Sequence, residues 1–187
     1  MNIRAVPTAL DGVLIVETDC HGDERGFLFE SYHKRKFAEA GIRVEFVQDN
    51  HSRSSSGVLR GIHFQDRSAP MAKLVRCTSG RILDVAVDLR AGSPAFARWI
   101  AVELSAANRR QLFVPIGFGH AFLSLTDAEV QYKCSNYYTP SAEHALAWND
   151  PGFAIDWPVS TPTLSERDQR AASLADYVER PAFTYAP

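Results

Sequence analysis

The clearest β-strand in this sequence is Arg81-Ile82-Leu83-Asp84-Val85-Ala86-Val87-Asp88-Leu89. Side chains alternate between the two faces of a strand, so its leucines and valines share one face. Asp84 and Asp88 fall on the opposite face. Two interpretations are open: the aspartates lie on a solvent-exposed face of a sheet, or they point into the polar interior of a barrel.

Similar short segments, separated by clusters of Gly, Pro, Asn, Asp and Ser, recur from residue 12 to about residue 150. That pattern is typical of an antiparallel sandwich or barrel. The predicted strands are 13–17, 26–32, 45–50, 57–65, 73–79, 81–89, 99–104, 111–114, 120–125 and 129–136. Short peripheral helices are predicted at 34–40 and 166–178. We therefore expect residues 1–187 to form one mainly β domain.

Composition excludes several classes of function. The 20 basic residues nearly balance the 22 acidic ones, so bulk charge does not suggest a nucleic acid or a membrane as partner. Cys20, Cys77 and Cys134 form no CxxC pair, which argues against a disulfide framework and against a zinc site. The sequence contains no apolar run of secretory or membrane-spanning length. We expect reduced thiols and a cytoplasmic location.

A histidine and a tyrosine on predicted strands have the chemistry of a base and an acid. His63 lies in Leu59-Arg60-Gly61-Ile62-His63-Phe64-Gln65, and Tyr132 lies in Gln131-Tyr132-Lys133. Either residue alone is more often structural. Other polar residues that fall in or beside predicted strands are Arg60, Gln65, Lys73 and His120. Buried polar groups cost free energy unless they are paired, so such a set is expected at a functional site.

Two further residues each have a structural and a chemical interpretation. Lys73 opens a strand, where lysine often prevents aggregation, but a cation near a carbonyl oxygen would also stabilise an enolate. Asp168 ends the segment Ser165-Glu166-Arg167-Asp168, which resembles a capping box with aspartate in place of glutamate. Capping is the simpler interpretation. In the alternative, the carboxylate reaches His63, fixes its tautomer and raises its basicity.

One more segment, Pro115-Ile116-Gly117-Phe118-Gly119-His120, matches the P-x-G-x-x-H motif of the cupin superfamily. It predicts a cupin-type jelly-roll β-barrel. Metal-binding cupins supply an H-x-H pair and a downstream glutamate, but the corresponding stretch here is His63-Phe64-Gln65. His63 and His120 fall short of the three or four protein ligands that a first-row metal usually takes. We therefore predict no metal.

Together these motifs, in this order, resemble those of the dTDP-4-dehydrorhamnose 3,5-epimerase family. The matching stretches are 22–27, 46–52, 58–65, 73–76, 84–90, 92–94, 117–120, 132–133 and 164–168. The runs Asp49-Asn50-His51-Ser52 and Leu59–Gln65 are specific. The resemblance implies a jelly-roll homodimer that needs no cofactor and acts on a dTDP-linked 4-keto-6-deoxyhexose.

The resemblance also implies roles for individual residues. His63 is the base, Asp168 its partner and Tyr132 the acid, while Lys73 would stabilise the enolate oxygen. The positions that match substrate contacts of the family are Arg25, Glu30, Gln48, Asp49, Asn50, Arg60, Lys73, His120, Glu143 and Arg167. Phe27 or Phe29 would stack on thymine. A C4 ketone acidifies the hydrogens at C3 and C5, so one base can remove each in turn, and reprotonation from the opposite face inverts the centre.

Several positions depart from the family pattern. Ala72 replaces a glycine that commonly precedes the lysine. The small residues on either side of His120, Gly119 and Ala121, are interchanged relative to the family. Gln131 replaces an apolar residue just before Tyr132. A single-centre epimerase, acting at C3 or C5, is therefore one alternative. Alternatives from other classes are a cupin-type sugar-nucleotide binding module without catalysis and a metal-dependent cupin oxygenase or isomerase.

Strand alternation raises one geometric condition. Arg60 and His63 are three residues apart, so a regular strand would place them on opposite faces. Both can serve one site only if Gly61 forms a bulge or a bend.

Overall fold

A computed structural model of the chain describes residues 1–186 and contains two packed β-sheets with short helices outside them. In chain order the strands are β1 (Ile3–Pro7), β2 (Leu14–Thr18), β3 (Cys20–Asp23), β4 (Gly26–Phe29), β5 (Gln48–Ser54), β6 (Leu59–Gln65), β7 (Lys73–Ser79), β8 (Arg81–Asp88), β9 (Arg90–Ala91), β10 (Trp99–Ser105), β11 (Gln111–Val114), β12 (Phe118–Ser124), β13 (Ala128–Cys134), β14 (Glu143–Ala145) and β15 (Phe183–Thr184). The helices are α1 (Lys34–Glu39), α2 (Glu166–Gln169) and α3 (Leu174–Glu179), with a 3-10 turn at Pro140–Ala142.

The two large sheets face each other across the main core. One has the strand order β1-β2-β11-β7-β13-β5, and the other has the order β10-β8-β12-β6-β14. Val75, Leu112 and Val130 from the first sheet pack with Ile82 and Phe122 from the second. The prediction of a mainly β, jelly-roll fold with short peripheral helices is confirmed. Within residues 1–186, the helices are too short and too polar to span a bilayer.

Strand β8 is covered on both faces. Asp84 and Asp88 are fully buried, and the valines of the opposite face are buried beneath the segment that contains α3. The interpretation of a solvent-exposed face is therefore wrong. Asp84 points into the barrel, where its Oδ1 lies 2.8 Å from Nε2 of His120. Asp88 ends the strand and pairs with Arg90, whose Nη2 donates to Oδ2 at 2.8 Å.

Most predicted strands are confirmed with shifted ends. The segment predicted at 45–50 corresponds to β5, which begins at Gln48 and ends at Ser54, and the segment predicted at 26–32 ends at Phe29. The prediction of a helix at 34–40 is confirmed by α1. The short strands β1, β3, β9, β14 and β15 are not predicted from the sequence, because segments of two to five residues carry too little alternation.

The single helix predicted at 166–178 is wrong, because the chain forms two short helices there. Ser173 begins the second one with a capping box that it shares with Asp176. Just before this cap, the Ala172 N–H donates to the Ala145 carbonyl at 3.1 Å, next to β14. This long-range β pairing takes the backbone hydrogen bonds that a continuous helix would need.

A β-bulge in β6 satisfies the geometric condition on Arg60 and His63. His63 pairs with His120, and Arg60 pairs with Phe122, so three steps along β6 match two steps along β12. The extra residue lies next to Gly61, which has a φ of +118° that favours glycine. His120 and Phe122 both face the barrel interior, and so Arg60 and His63 share that face.

We expect Gly61→Ala to lower the free energy of unfolding by about 3 kcal/mol or more, because backbone strain and overlap add. A Cβ at this position would lie 2.6 Å from both the Ala121 Cβ and the His120 carbonyl oxygen. Urea denaturation measures the loss. Gly57→Ala is the matched control, since its φ is +82° but a Cβ there meets no atom of residues 1–186 within 4 Å. The control should lose about 1 kcal/mol. Equal losses in the two variants would contradict a tightly packed bulge.

Candidate active site

A histidine and an aspartate from distant parts of the chain meet on the inner face of the five-stranded sheet. His63 Nε2 on β6 lies 2.5 Å from Asp168 Oδ1 on α2. The imidazole is 19% exposed and the carboxylate only 2%. Ser165 Oγ accepts the Asp168 N–H at 3.1 Å and donates to Asp168 Oδ2 at 2.8 Å. The hydroxyl thus caps α2, while the carboxylate turns to His63, so both interpretations of Asp168 apply to this geometry.

This pairing fixes which nitrogen of His63 can accept a proton. An ionised carboxylate only accepts hydrogen bonds, which assigns the hydrogen to Nε2 and a lone pair to Nδ1. Burial lowers the pKa of His63, and the hydrogen bond to Asp168 opposes this only in part. Burial acts to raise the pKa of Asp168, but its bonds to His63 and Ser165 prevail and the pKa is lowered. A neutral imidazole beside a carboxylate is a suitable base.

Tyr132 and Lys73 approach the same interior from the six-stranded sheet. Tyr132 pairs with Val75 and packs against the main core, so its side chain faces inward. Lys73 pairs with Cys134, two residues beyond Tyr132 and on the same face. The Lys73 Nζ lies 5.9 Å from the centre of the Tyr132 ring. Its charge also acts on His63, lowering the pKa of the imidazole.

Burial shifts both of these groups toward their neutral forms. It lowers the pKa of the Lys73 ammonium, while Cys134, Glu143 and Asp84 act in the opposite direction. Burial likewise raises the pKa of the Tyr132 phenol. The phenol therefore keeps its proton at neutral pH and can donate it.

Three consecutive predicted contact residues lie on β5: Gln48, Asp49 and Asn50. Their side chains alternate between the two faces of the sheet. Asn50 lies opposite Tyr132 in the β5–β13 register, so Gln48 and Asn50 face the interior. Asp49 faces the outside of the sheet, where its two carboxylate oxygens lie 2.9 and 3.0 Å from Lys133 Nζ. Of the three side chains, only the two amides point toward Tyr132.

The five-stranded sheet and α2 add charged groups around the same interior. His120 is buried against Asp84. Glu143 on β14 forms an ion pair with Arg167, whose Nη2 lies 3.3 Å from Oε1 of the carboxylate. Arg60 is exposed along β6, and its charge lowers the pKa of the Tyr132 phenol. These predicted contact residues therefore lie around the same barrel interior as His63 and Tyr132.

The barrel interior does not include three of the predicted contact residues, which are Arg25, Phe27 and Glu30. Arg25 is 90% exposed and pairs within the β3–β4 hairpin. Phe27 in the same hairpin is 61% exposed, and Phe29 packs against the Arg76 guanidinium, 5.4 Å from the ring centre. Arg76 alternates with inward-facing neighbours on β7, so the hairpin base lies on the outer face of the six-stranded sheet. Glu30 forms its ion pair with α1. Within one chain, none of the three joins His63 and Tyr132.

One departure from the family pattern lies outside the site, and two residues at the site were not predicted from the sequence. Gln131 points away from Tyr132 to the outer face, where its Nε2 lies 3.4 Å from His51 Nδ1. This departure from the family pattern therefore does not reach the cleft. Cys134 does reach it, and alternation from Tyr132 would have indicated this. Tyr138 was also missed, because its contact with Gln48 depends on loop geometry that no pattern encodes.

The arrangement suits proton transfer at a carbon atom. A neutral imidazole on one sheet faces a protonated phenol on the other, with a lysine ammonium near both. Such a set can remove a proton, stabilise the resulting negative charge and return a proton. Among residues 1–186, no three His, Cys, Asp or Glu side chains are grouped closely enough to hold a metal ion.

Comparison with known sequences gives a consistent result. A family model described as dTDP-4-dehydrorhamnose 3,5-epimerase matches residues 7–176. A dTDP-4-dehydrorhamnose 3,5-epimerase of Pseudomonas aeruginosa is 50% identical over 93% of this chain and 97% of the relative. A dTDP-4-dehydrorhamnose 3-epimerase of Streptomyces niveus is 42% identical over 93% of this chain and 85% of the relative.

Solved structures agree in both fold and sequence. A dTDP-6-deoxy-D-glucose-3,5-epimerase of Legionella pneumophila, solved in complex with dTDP-4-keto-L-rhamnose, superposes with a TM-score of 0.95. The two chains are 41% identical, and the match covers 100% of each. The family predicted from the motifs is confirmed.

In Asp168→Asn we expect the pKa of His63 to fall further below 6.5 than in the wild type. The buried imidazole would lose the carboxylate that favours its charged form. An NMR titration of the imidazole resonances measures the change. Ser165→Ala is the control, because it keeps the carboxylate and should lose about 1 kcal/mol of stability with the helix cap. A higher pKa of His63 in Asp168→Asn would contradict the pairing.

Proposed function

The chain belongs to the dTDP-4-dehydrorhamnose 3,5-epimerase family, and we propose that it inverts C3 and C5 of dTDP-4-dehydro-6-deoxy-D-glucose. The product is dTDP-4-dehydro-L-rhamnose, an intermediate of dTDP-rhamnose biosynthesis. One observation carries the proposal: His63 on one sheet, paired with Asp168 of α2, faces Tyr132 and Lys73 on the other sheet. The full-length similarity to named epimerases supports it.

The first step of the proposed reaction is proton removal. Nδ1 of His63 takes the hydrogen from the carbon next to the C4 ketone. The electron pair of the broken C–H bond forms the carbon–carbon double bond of an enolate, and the negative charge moves to the C4 oxygen. The Lys73 ammonium stabilises that charge, and Asp168 stabilises the imidazolium.

The second step is reprotonation from the opposite face. The Tyr132 hydroxyl donates its proton to the same carbon, which restores the ketone and inverts the centre. Water then returns a proton to the phenolate and removes one from the imidazolium. Neither step oxidises or reduces the sugar, and both proceed without a cofactor. The general base and the general acid each contribute about 10²- to 10⁴-fold.

The diphosphate of the substrate is negatively charged, so its binding requires cationic side chains. Arg60 and Arg167 lie beside the cleft with exposed guanidinium groups, which suits bidentate contacts to a diphosphate. We propose that Arg25, Phe27 and Glu30 reach the cleft of a second subunit, since they lie apart from their own. The exposed hairpin and the outer edge of β5, which has no paired strand among residues 1–186, support a homodimer of this kind.

A cytoplasmic location is part of the same proposal. Cys20, Cys77 and Cys134 are free thiols in the described chain. Free cysteines are typical of reducing compartments.

In deuterated water we expect the wild-type enzyme to place one solvent deuteron at C3 and one at C5, as read by NMR of the product. His63→Ala should lower exchange at both carbons by about 10²-fold or more, because the base is lost. Tyr132→Phe should keep part of the exchange but impair inversion. The Streptomyces niveus 3-epimerase makes a single-centre reaction the second candidate, and one deuteron would identify it. Exchange at the wild-type rate in His63→Ala would contradict the assignment of the base.

Two inactive variants should restore activity when they share a dimer. We expect Arg25→Ala and His63→Ala to be inactive or nearly so when assayed alone. A mixed dimer has one cleft with both an intact His63 and an intact partner hairpin, so co-refolding should recover up to about a quarter of wild-type activity by random pairing. Arg4→Ala, an exposed arginine paired with Glu17, is the control and should retain full activity alone. No recovery in the mixture would contradict the shared site.

A further inference from the structure

Two side-chain amides link a backbone N–H to the neighbourhood of the Tyr132 phenol. The Tyr138 N–H donates to Gln48 Oε1 at 3.0 Å, and Gln48 Nε2 donates to Asn50 Oδ1 at 3.0 Å. A backbone N–H can only donate, so the first bond fixes which end of the Gln48 amide is oxygen. The second bond then fixes the Asn50 amide in the same way. Asn50 therefore turns its Nδ2, a donor, toward β13.

Two groups on β13 lie near this Nδ2 as hydrogen-bond acceptors. Asn50 Nδ2 lies 3.7 Å from Cys134 Sγ, and Asn50 lies directly opposite Tyr132 in the strand register. Burial raises the pKa of the Cys134 thiol to about 11, so the sulfur stays neutral. A neutral thiol is a weak acceptor, whereas a phenolic oxygen is a good one. The Asn50 Nδ2 carries two hydrogens, and of the two groups the Tyr132 oxygen is the better acceptor for one of them.

We propose that Asn50 is a positioning residue for the proton donor: its amide N–H donates to the phenolic oxygen and leaves the Tyr132 hydroxyl hydrogen directed at the reacting carbon. Gln48 holds Asn50 in that orientation. The inference rests on the function proposed above. It gives these two residues a task other than contact with the substrate.

The charges around the phenol show why such a donor matters. The titratable and charged groups that face it are Cys134, Glu143, Arg60 and Lys73, with His63 on the opposite sheet. Burial raises the pKa of Tyr132 most, the thiol and the carboxylate act in the same direction, and the Asn50 hydrogen bond and the guanidinium oppose them. A donor to the oxygen stabilises the phenolate that forms as the proton leaves. Asn50 does this without adding a charge beside the base.

The test removes the donor without adding a charge. Asn50→Leu keeps a similar volume, and Gln48→Met keeps Asn50 but releases its orientation. Gln131→Leu is the matched control, because it replaces an amide one residue from Tyr132 on the opposite face of the sheet. The first readout is the pKa of Tyr132 without substrate, from ¹³C NMR of labelled tyrosine with Tyr132→Phe as the assignment reference. We expect that pKa to rise in Asn50→Leu, to rise less in Gln48→Met and to stay unchanged in Gln131→Leu.

The second readout separates positioning from substrate binding. In Asn50→Leu the ratio of inversion to deuterium exchange should fall roughly tenfold or more, as expected when one hydrogen bond to a developing charge is lost. The Kd of thymidine diphosphate should stay within roughly twofold of wild type, because the proposed role of Asn50 is a bond to Tyr132 and not a contact with the nucleotide. If Asn50→Leu does not fold, the pKa of Tyr132 and the ratio of inversion to exchange are both measured on Gln48→Met.

Two outcomes would overturn the inference. One is an unchanged pKa of Tyr132 in both amide variants, and the other is a loss confined to affinity for thymidine diphosphate. Failure of the proposed epimerisation is distinguishable, since wild-type protein would then show no exchange while the titration of Tyr132 could still be measured.

Discussion

The hydrogen bond between Asp168 and His63 joins the C-terminal segment to the barrel and sets the chemistry of the cleft. It links residues 105 positions apart in sequence. The carboxylate is nearly inaccessible to water, so its charge is favourable only because His63 and Ser165 bind it. That same bond assigns the lone pair of the imidazole to Nδ1. The position and the tautomer of the base therefore follow from one contact, which also offsets part of the fall in the pKa of His63 that burial causes.

The positions of the other cleft residues depend on the regular alternation of side chains between the two faces of each strand, and on the one bulge that interrupts it. Regular alternation on β13 places Tyr132 and Cys134 on the inner face, and on β5 it places Gln48 and Asn50 there. On β6 a regular strand would turn Arg60 away from His63. The bulge at Gly61 returns the Arg60 side chain to the interior. The bulge requires glycine, because any side chain at this position would overlap β12.

Local patterns predicted the elements that local physics determines. Alternation located β6, β7, β8 and β13, and the spacing of Arg60 and His63 exposed the need for a bulge. Patterns failed where distant residues decide the structure. Ala172 leaves the predicted helix because it pairs beside β14, and the exposed β3–β4 hairpin carries predicted contacts away from their own cleft. The amide orientations of Gln48 and Asn50 depend on a backbone N–H of a distant loop.

Inversion requires that the base removes a proton from one face of a carbon and that the acid returns a proton to the opposite face. A crystal structure with a bound thymidine diphosphate sugar tests this most directly. We expect Nδ1 of His63 and the Tyr132 oxygen on opposite faces of the sugar ring, each about 3 to 3.5 Å from a carbon next to C4. Both groups on the same face, or Nε2 of His63 turned toward the sugar, would contradict this expectation.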